Sequence, residues 1–255
     1  MKTIVFVHGM FQNPVSWERW IPFFEQRGYT CIVPAWPDHE GVPSQLRNNP
    51  PADLGKLSLK TVIDKIEAVV KGLSERPIVI GHSVGGLITQ VLGDRGLIEL
   101  GVPISSVAPN AMLSLDWDFF KNSMSIANPF KGDEPFYMDE ESFKGAFANT
   151  LDDSILRSEY ERTATHDSRN VLRDCMGEAG KVDLDMPHVP LLFIAGKEDK
   201  IIPYELVEKN AAAYTDEASM TEHVTFDGRS HYICNEPGWE EVVTAVAGWL
   251  ERKNG

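Results

Sequence analysis

Short apolar runs rich in β-branched residues alternate along this chain with longer segments whose apolar positions recur every three or four residues. The first pattern predicts strands over residues 3–7, 29–33, 77–80, 104–108, 190–195 and 222–226. These runs are nearly continuous in apolar character, which suits strands covered on both faces. Between them, residues 16–26 place Trp17, Trp20, Ile21 and Phe24 at helical spacing, with Ser16 as the expected cap and Glu18 in the first turn. Residues 58–73 set Val62, Ile66, Val69 and Val70 on one face, and further helices are predicted over 84–93, 204–214 and 239–252. Strand and helix in turn imply βαβ units, hence an α/β fold with a mostly parallel sheet and helices on both faces.

Two stretches break the alternation. Residues 37–57, PDHEGVPSQLRNNPPADLGKL, are rich in proline, glycine and asparagine and read as a long ordered loop. Residues 111–188 carry helical patches and many aromatics (Trp117, Phe119, Phe120, Phe130, Phe136, Tyr137, Phe143, Phe147) without a strand pattern. They fall between the predicted fourth and fifth strands, where an insertion can cover one end of a sheet. The expected organisation is therefore a core of residues 1–110 and 189–255 with a helical cap, 111–188, inserted between its strands. An insertion of that length needs apolar contacts of its own, so most of its aromatics are expected to pack within it and the rest to shape a pocket.

Composition narrows the class. Lysine and arginine number 24 against 38 aspartates and glutamates, a formal charge of −14 over 255 residues. Such a chain is repelled by phosphate backbones and anionic lipids, so neither nucleic acid nor membrane is expected as a partner. No apolar run approaches the ~20 residues of a membrane span. The opening MKTIVFVHGM runs into His8 and Gly9 without a small-residue cleavage site and reads as a first strand, not a leader. Cys31, Cys175 and Cys234 are far apart, odd in number and form no C-x-x-C pair. Idle thiols in a reducing, cytoplasmic setting are expected, not a disulfide framework or a zinc site.

One short stretch points to chemistry. Residues 79–87 read VIGHSVGGL, with Gly81-His82-Ser83-Val84-Gly85 between the strand PIVI and the helix LITQVLG. That setting is what a nucleophile elbow requires: glycines where a Cβ would collide across the bend, and Ser83 held in an unfavourable backbone conformation that presents its hydroxyl. A serine hydroxyl is a poor nucleophile alone and needs a base, and the base needs an orienting group. Asp199 follows the strand PLLFIAG and His231 follows the strand HVTF, which puts both on loops at the carboxyl ends of parallel strands. Glu198 and Asp116 compete as the acid. His223 competes as the base, although it falls inside a strand pattern where a loop position is needed. His8 and His82 are expected to shape turns or line the pocket, and His39, His166 and His188 to lie on the surface or in loops.

In these residues the chain resembles the α/β-hydrolase superfamily, whose triad runs in the order Ser, acid, His. The resemblance extends from His8-Gly9 through the elbow to His231 and the last helix. It implies a cap-bearing, esterase-like serine hydrolase with Ser83 as nucleophile, His231 as general base and acid, and Asp199 fixing the imidazole tautomer. It further implies an oxyanion hole from the backbone N–H groups of Val84 and Met10, with Phe11 as the second choice of donor. His82, Phe11 and Trp36 are the expected substrate contacts, and neither cofactor nor metal is implied. The first strand corresponds to the family's third, so a six-stranded core is expected, and Trp36-Pro37-Asp38-His39-Glu40-Gly41 replaces the glycine-rich loop that many relatives carry.

The reaction so implied is hydrolysis of a small-molecule carboxylic ester through an acyl-enzyme. Two other readings share the same residues: C–C bond hydrolysis or a hydroxynitrile-lyase-type elimination on this triad, and a non-catalytic ligand receptor of this fold. Met10, where lyase relatives place a hydroxyl residue, speaks against elimination. Serine at the elbow, in place of aspartate or cysteine, speaks against dehalogenase, epoxide-hydrolase and dienelactone-hydrolase chemistry.

Overall fold

Strands β1 (Thr3–Val7), β2 (Thr30–Ile32), β3 (Ile78–His82), β4 (Leu100–Ile104), β5 (Leu191–Gly196) and β6 (Thr221–Phe226) pair in the order β2-β1-β3-β4-β5-β6. Every pairing is parallel. The structure is a computed structural model and describes residues 2–113 and 123–254. Helices α1 (Trp20–Glu25), α2 (Pro43–Asn48), α3 (Leu59–Lys71) and α4 (Val84–Asp94) precede β4. Between β4 and β5 come α5 (Asn110–Leu113), α6 (123–127), α7 (Glu140–Ser142), α8 (Asp153–Thr163) and α9 (Arg169–Cys175). α10 (Tyr204–Ala212) follows β5, and α11 (Trp239–Asn254) follows β6.

The period of two along each strand sorts its side chains onto opposite faces. Ile4, Phe6, Ile78, Ile80, Val102 and Ile104 point one way and bury against Trp20 and Phe24 of α1 and Val242, Val246 and Trp249 of α11. Val5, Val7, Val79 and Phe193 point the other way, against Val62 and Ile66 of α3, Leu87 and Val91 of α4, and Leu206 and Val207 of α10. Each fully buried Leu, Ile or Val contributes on the order of 1.5–3 kcal/mol. The central strands β1, β3 and β5 are covered on both faces, as their unbroken apolar runs foretold.

Several elements differ from the sequence expectation, each for a local reason. The fourth strand lies four residues earlier than predicted, at Leu100–Ile104, and the predicted run 104–108 is its exit, where Ser105 turns to a φ of 42°. Gly101 and Pro103 disguise it. A Cβ on Gly101 would stand 2.7 Å from the Leu191 side chain. Pro103 skips the donor between the Gly101 N–H to Pro190 O bond (3.1 Å) and the Ser105 N–H to Ile194 O bond (2.7 Å). The predicted helix 16–26 splits into a 3₁₀ turn, Pro14–Trp17, and α1. Its cap is Asn13, whose Oδ1 accepts the Val15 N–H at 3.1 Å, while the Ser16 hydroxyl donates back to Asn13 O at 2.8 Å. The loop 37–57 holds α2, started by Pro43, and a 3₁₀ turn at Leu54–Lys56.

The insertion rests on the core through α8 against α2 and α9 against α3. Its described part has no strand, only a single antiparallel bridge between Phe136 and Asp167. Phe143 and Phe147 are buried and stacked at 5.5 Å, and both pack against Tyr232. Phe130, by contrast, is 95% exposed and Tyr137 52%, so neither belongs to the packing expected of these aromatics. Asp116, Trp117, Phe119 and Phe120 lie outside the described residues.

Candidate active site

Ser83 stands between β3 and α4 with φ 58° and ψ −119°, the strained conformation that an elbow demands. The bend closes on hydrogen bonds to the Ser83 carbonyl from Gly86 N–H (2.9 Å) and Val107 N–H (3.1 Å). It is tight enough that a Cβ on Gly81 would overlap the Gly85 carbonyl and the Thr89 hydroxyl, and one on Gly85 would overlap the Val7 carbonyl. The loop after β1 comes equally close: a Cβ on Gly9 would lie 2.6 Å from that of Ser83.

Asp199 and His231 arrive from the ends of β5 and β6. Asp199 Oδ1 accepts the N–H groups of Ile201 and Ile202, each at 2.8 Å, which fixes the carboxylate so that Oδ2 meets His231 Nδ1 at 2.7 Å. Both side chains are buried to 1% exposure. A carboxylate only accepts, so Nδ1 carries the hydrogen and Nε2 is the ring nitrogen left to act as a base. His231 and Ser83 border the same cavity, roughly 270 Å³ in volume. Glu198 is exposed, and His223 is held on β6 by Thr225 at 2.8 Å; neither borders the cavity.

The His231 loop is braced on both sides. His82 Nε2–H donates to the His231 carbonyl at 2.8 Å, and burial, followed by coupling to the neighbouring His231 ring, drives the His82 pKa well below its ordinary value. Before His231, the Glu236 carboxylate receives the Ser230 N–H (2.9 Å) and hydroxyl (3.0 Å) and the hydroxyl of Thr150 from the insertion. Burial pushes the Glu236 carboxyl above its usual range. After it, the Tyr232 hydroxyl reaches Glu159 of α8.

The N–H groups of Met10 and Val84 have no acceptor among the described residues; Val84 opens α4, where the first N–H groups lack intrahelical partners. The second-choice donor is corrected: the Phe11 N–H is already bonded to Asp167 Oδ2 at 2.9 Å. Its ring does line the cavity, 5.3 Å from that of Phe136. Trp36, expected to touch substrate, is instead buried behind the site and stacked on His8 at 4.6 Å, away from the cavity. His82 is likewise absent from the cavity wall, because its ring serves the loop behind His231. His8 donates from Nδ1 to Gly9 O (2.9 Å) and accepts the Trp36 N–H at Nε2 (3.2 Å), and burial holds it neutral.

From the core come Met10, Val84 and Val107; from the insertion, Ile126, Phe136, Met138, Phe147 and Leu172. The wall is mostly apolar, relieved by Lys200 and by the hydroxyls of Ser123, Ser125 and Ser142. Among the described residues no group of three or more His, Cys, Asp or Glu side chains is arranged to hold a metal ion, and no helix is long and apolar enough to cross a membrane.

Sequence reasoning passed over Glu159, Asp167, Glu236 and His39. His39, expected in a surface loop, is 1% exposed and faces Asp167 at 3.3 Å. Its signal was the loop itself, where WPDHEG stands in place of glycines. Asp167 and Glu159 carried none, since an acid on an amphipathic insertion reads as surface.

The sequence model of the alpha/beta hydrolase family matches residues 4–245. A carboxylesterase of Bacillus subtilis (strain 168) is 22% identical over 208 residues, covering 80% of this chain and 74% of its own. Among solved structures, the monoacylglycerol lipase of Paleococcus ferrophilus superposes with a TM-score of 0.70 at 20% identity, over 97% of this chain and 93% of its own. A thermophilic esterase from Thermogutta terrifontis gives 0.71 at 17% identity, over 99% and 90%. At such identities the structural likeness is one of fold.

Proposed function

The chain belongs to the alpha/beta hydrolase family, and on that premise we propose that it hydrolyses carboxylic esters through an acyl-enzyme on Ser83, His231 and Asp199. The observation that carries the reading is the 2.7 Å bond between His231 Nδ1 and Asp199, beside a serine at φ 58° on the wall of an apolar cavity. The lipase and esterase neighbours are consistent with it.

In this reading His231 Nε2 takes the proton of the Ser83 hydroxyl as its oxygen attacks the ester carbonyl carbon. The carbonyl oxygen becomes an oxyanion and is met by the N–H groups of Met10 and Val84, each worth about 3 kcal/mol of transition-state stabilisation. Collapse expels the alkoxide, which leaves with the proton from His231. Water, deprotonated by the same nitrogen, then attacks the acyl-enzyme, and the second tetrahedral intermediate collapses to the acid as the Ser83 oxygen leaves with the proton from His231. Asp199 holds the tautomer and stabilises the transient imidazolium. Residues 111–188 serve as the cap, since Phe136, Met138 and Phe147 share the cavity wall with Ser83. A cavity of roughly 270 Å³ with a mostly apolar wall suits a small apolar acyl group.

A p-nitrophenyl ester series from acetate to butyrate, with fluorophosphonate labelling of Ser83, tests the reading. Multiple turnovers lost on labelling support it. Labelling without turnover points to a ligand receptor, and turnover of a vinylogous diketone with inertness to the esters points to carbon–carbon cleavage.

A further inference from the structure

We infer that Asp167, backed by His39, is a positioning residue that sets the loop after β1 and so aims the Met10 N–H at the oxyanion, an inference that rests on the esterase reading. Asp167 belongs to the insertion, between α8 and α9, and is fully buried. Its Oδ2 accepts the Phe11 N–H at 2.9 Å and faces His39 Nε2 at 3.3 Å, while Oδ1 accepts the Ser168 N–H at 2.7 Å. Two residues earlier, the Thr165 N–H donates to the Phe11 carbonyl at 2.9 Å. Both backbone polar groups of Phe11 are therefore held by the insertion. With a φ of 63°, Phe11 occupies a left-handed conformation that a phenylalanine does not adopt unaided.

The Phe11 N–H lies in the peptide plane that follows Met10. Tethering that plane to Asp167 fixes the rotation about the Met10 Cα–C bond, and the contact of Gly9 with Ser83 fixes the plane before it. The N–H of Met10, a residue that borders the cavity beside Ser83, is among this loop's donors without an acceptor among the described residues. Without Asp167 the Phe11 N–H would be the competing donor, and the loop could relax from its strained φ.

His39 makes the buried carboxylate tenable. Its Nδ1 lies 2.9 Å from the Pro37 carbonyl and its Nε2 faces the Asp167 carboxylate. Both partners only accept, so both ring nitrogens carry hydrogen and the ring is a cation. The other groups around it are Asp38, the Glu40–Lys65 ion pair and the neutral ring of His8, 5.6 Å away. Neither Asp167 nor His39 borders the cavity, so their effect reaches the reaction through the loop.

The experiment compares Asp167→Ala and Asp167→Asn with the native chain on p-nitrophenyl butyrate and on a trifluoromethyl ketone that mimics the tetrahedral intermediate. Losing an oxyanion donor outright costs about 10²–10³ in kcat, so a misaimed one is expected to cost about 10–100-fold, with KM within about twofold. Affinity for the ketone should fall by the same factor, and Asp167→Asn, which keeps an oxygen for the Phe11 N–H, should recover most of kcat. A folded Asp167→Ala with native kcat overturns the inference, as does a loss of kcat with ketone affinity unchanged. Should Asp167→Ala fail to fold, His39→Gln is read the same way, with a parallel loss of kcat and ketone affinity expected. Hydrolysis retained by Ser83→Ala would fell the Ser83 acyl-enzyme reading itself; an inactive Ser83→Ala beside a fully active Asp167→Ala fells only the positioning role.

Discussion

Glu159 and Tyr232, 73 positions apart, share a hydrogen bond of 2.8 Å that ties α8 of the insertion to the residue next to His231. The same Glu159 carboxylate pairs with Arg19 at 2.7 Å and Arg162 at 2.6 Å. Burial works against its charge, but Arg162, with Tyr232 and Arg19, outweighs that and holds the carboxyl below its usual range. Tyr232→Phe should cost about 1 kcal/mol of stability. Glu159→Ala should cost about 2 kcal/mol, because it leaves two partly solvated arginines facing each other. Thermal unfolding of both variants checks the order, and a reversed order would mean that the arginines do not depend on Glu159.

Ser83→Ala should abolish ester hydrolysis, by about 10⁴-fold or more in kcat, with the fold kept, since only one oxygen is removed. Steady-state kinetics together with circular dichroism measures both. More than a few per cent of native activity would mean another nucleophile.

Asp199→Asn should lower kcat by about 10⁴-fold, because an amide can donate to Nδ1 and so favour the wrong tautomer. The two bonds from Ile201 and Ile202 need only the remaining carbonyl oxygen, so the loop should persist. A small kcat loss would show that the 2.7 Å contact is dispensable to turnover.

Gly81→Ala should be among the most damaging single-methyl additions to this chain. Its Cβ would meet the Gly85 carbonyl inside the elbow, where neither backbone can yield, and a loss of about 3 kcal/mol or more is expected. Gly28→Ala provides the contrast: nothing lies within 4 Å, and only its φ of 83° resists the change. Denaturant midpoints compare the two.

Stability should fall on both sides of neutrality. Burial disfavours the His39 cation, but Asp167 outweighs it and raises the His39 pKa above its unfolded value near 6.5, so the folded state holds that proton more tightly; the gain is complete below about pH 6.5 and lost as pH climbs through the raised value. His8 and His82 are depressed by burial, so their contribution is present above about pH 6.5 and lost as pH falls towards their lowered values. Chemical unfolding between pH 5 and 9 should trace this dome, and His39→Gln should flatten its alkaline side. An alkaline side unchanged by that substitution would break the assignment.

The sheet was legible because burial on two faces forces continuous apolar runs, and the elbow because its glycines answer to steric collisions that any tight strand-to-helix bend must avoid. β4 was misplaced since Gly101 and Pro103 look like a turn, yet one serves close packing and the other merely omits a rung. Asp199 and His231 could be read from their places after strands. Asp167 and Glu159 could not, because what makes them matter is a partner more than 70 positions away, and no local pattern encodes that.

Thr150, Glu159 and Asp167 all come from the insertion, and all three grip the loops that carry Met10 and His231. A foreign covering segment grafted onto this scaffold would arrive without those handles and leave Phe11, Glu236 and Tyr232 without them. Recombination between relatives should therefore succeed only when the segment and the loops beneath it travel together. New substrate preferences would be reached more readily by point replacements at positions such as Ile126, Met138 and Leu172, whose side chains shape the cavity and hold none of the tethers.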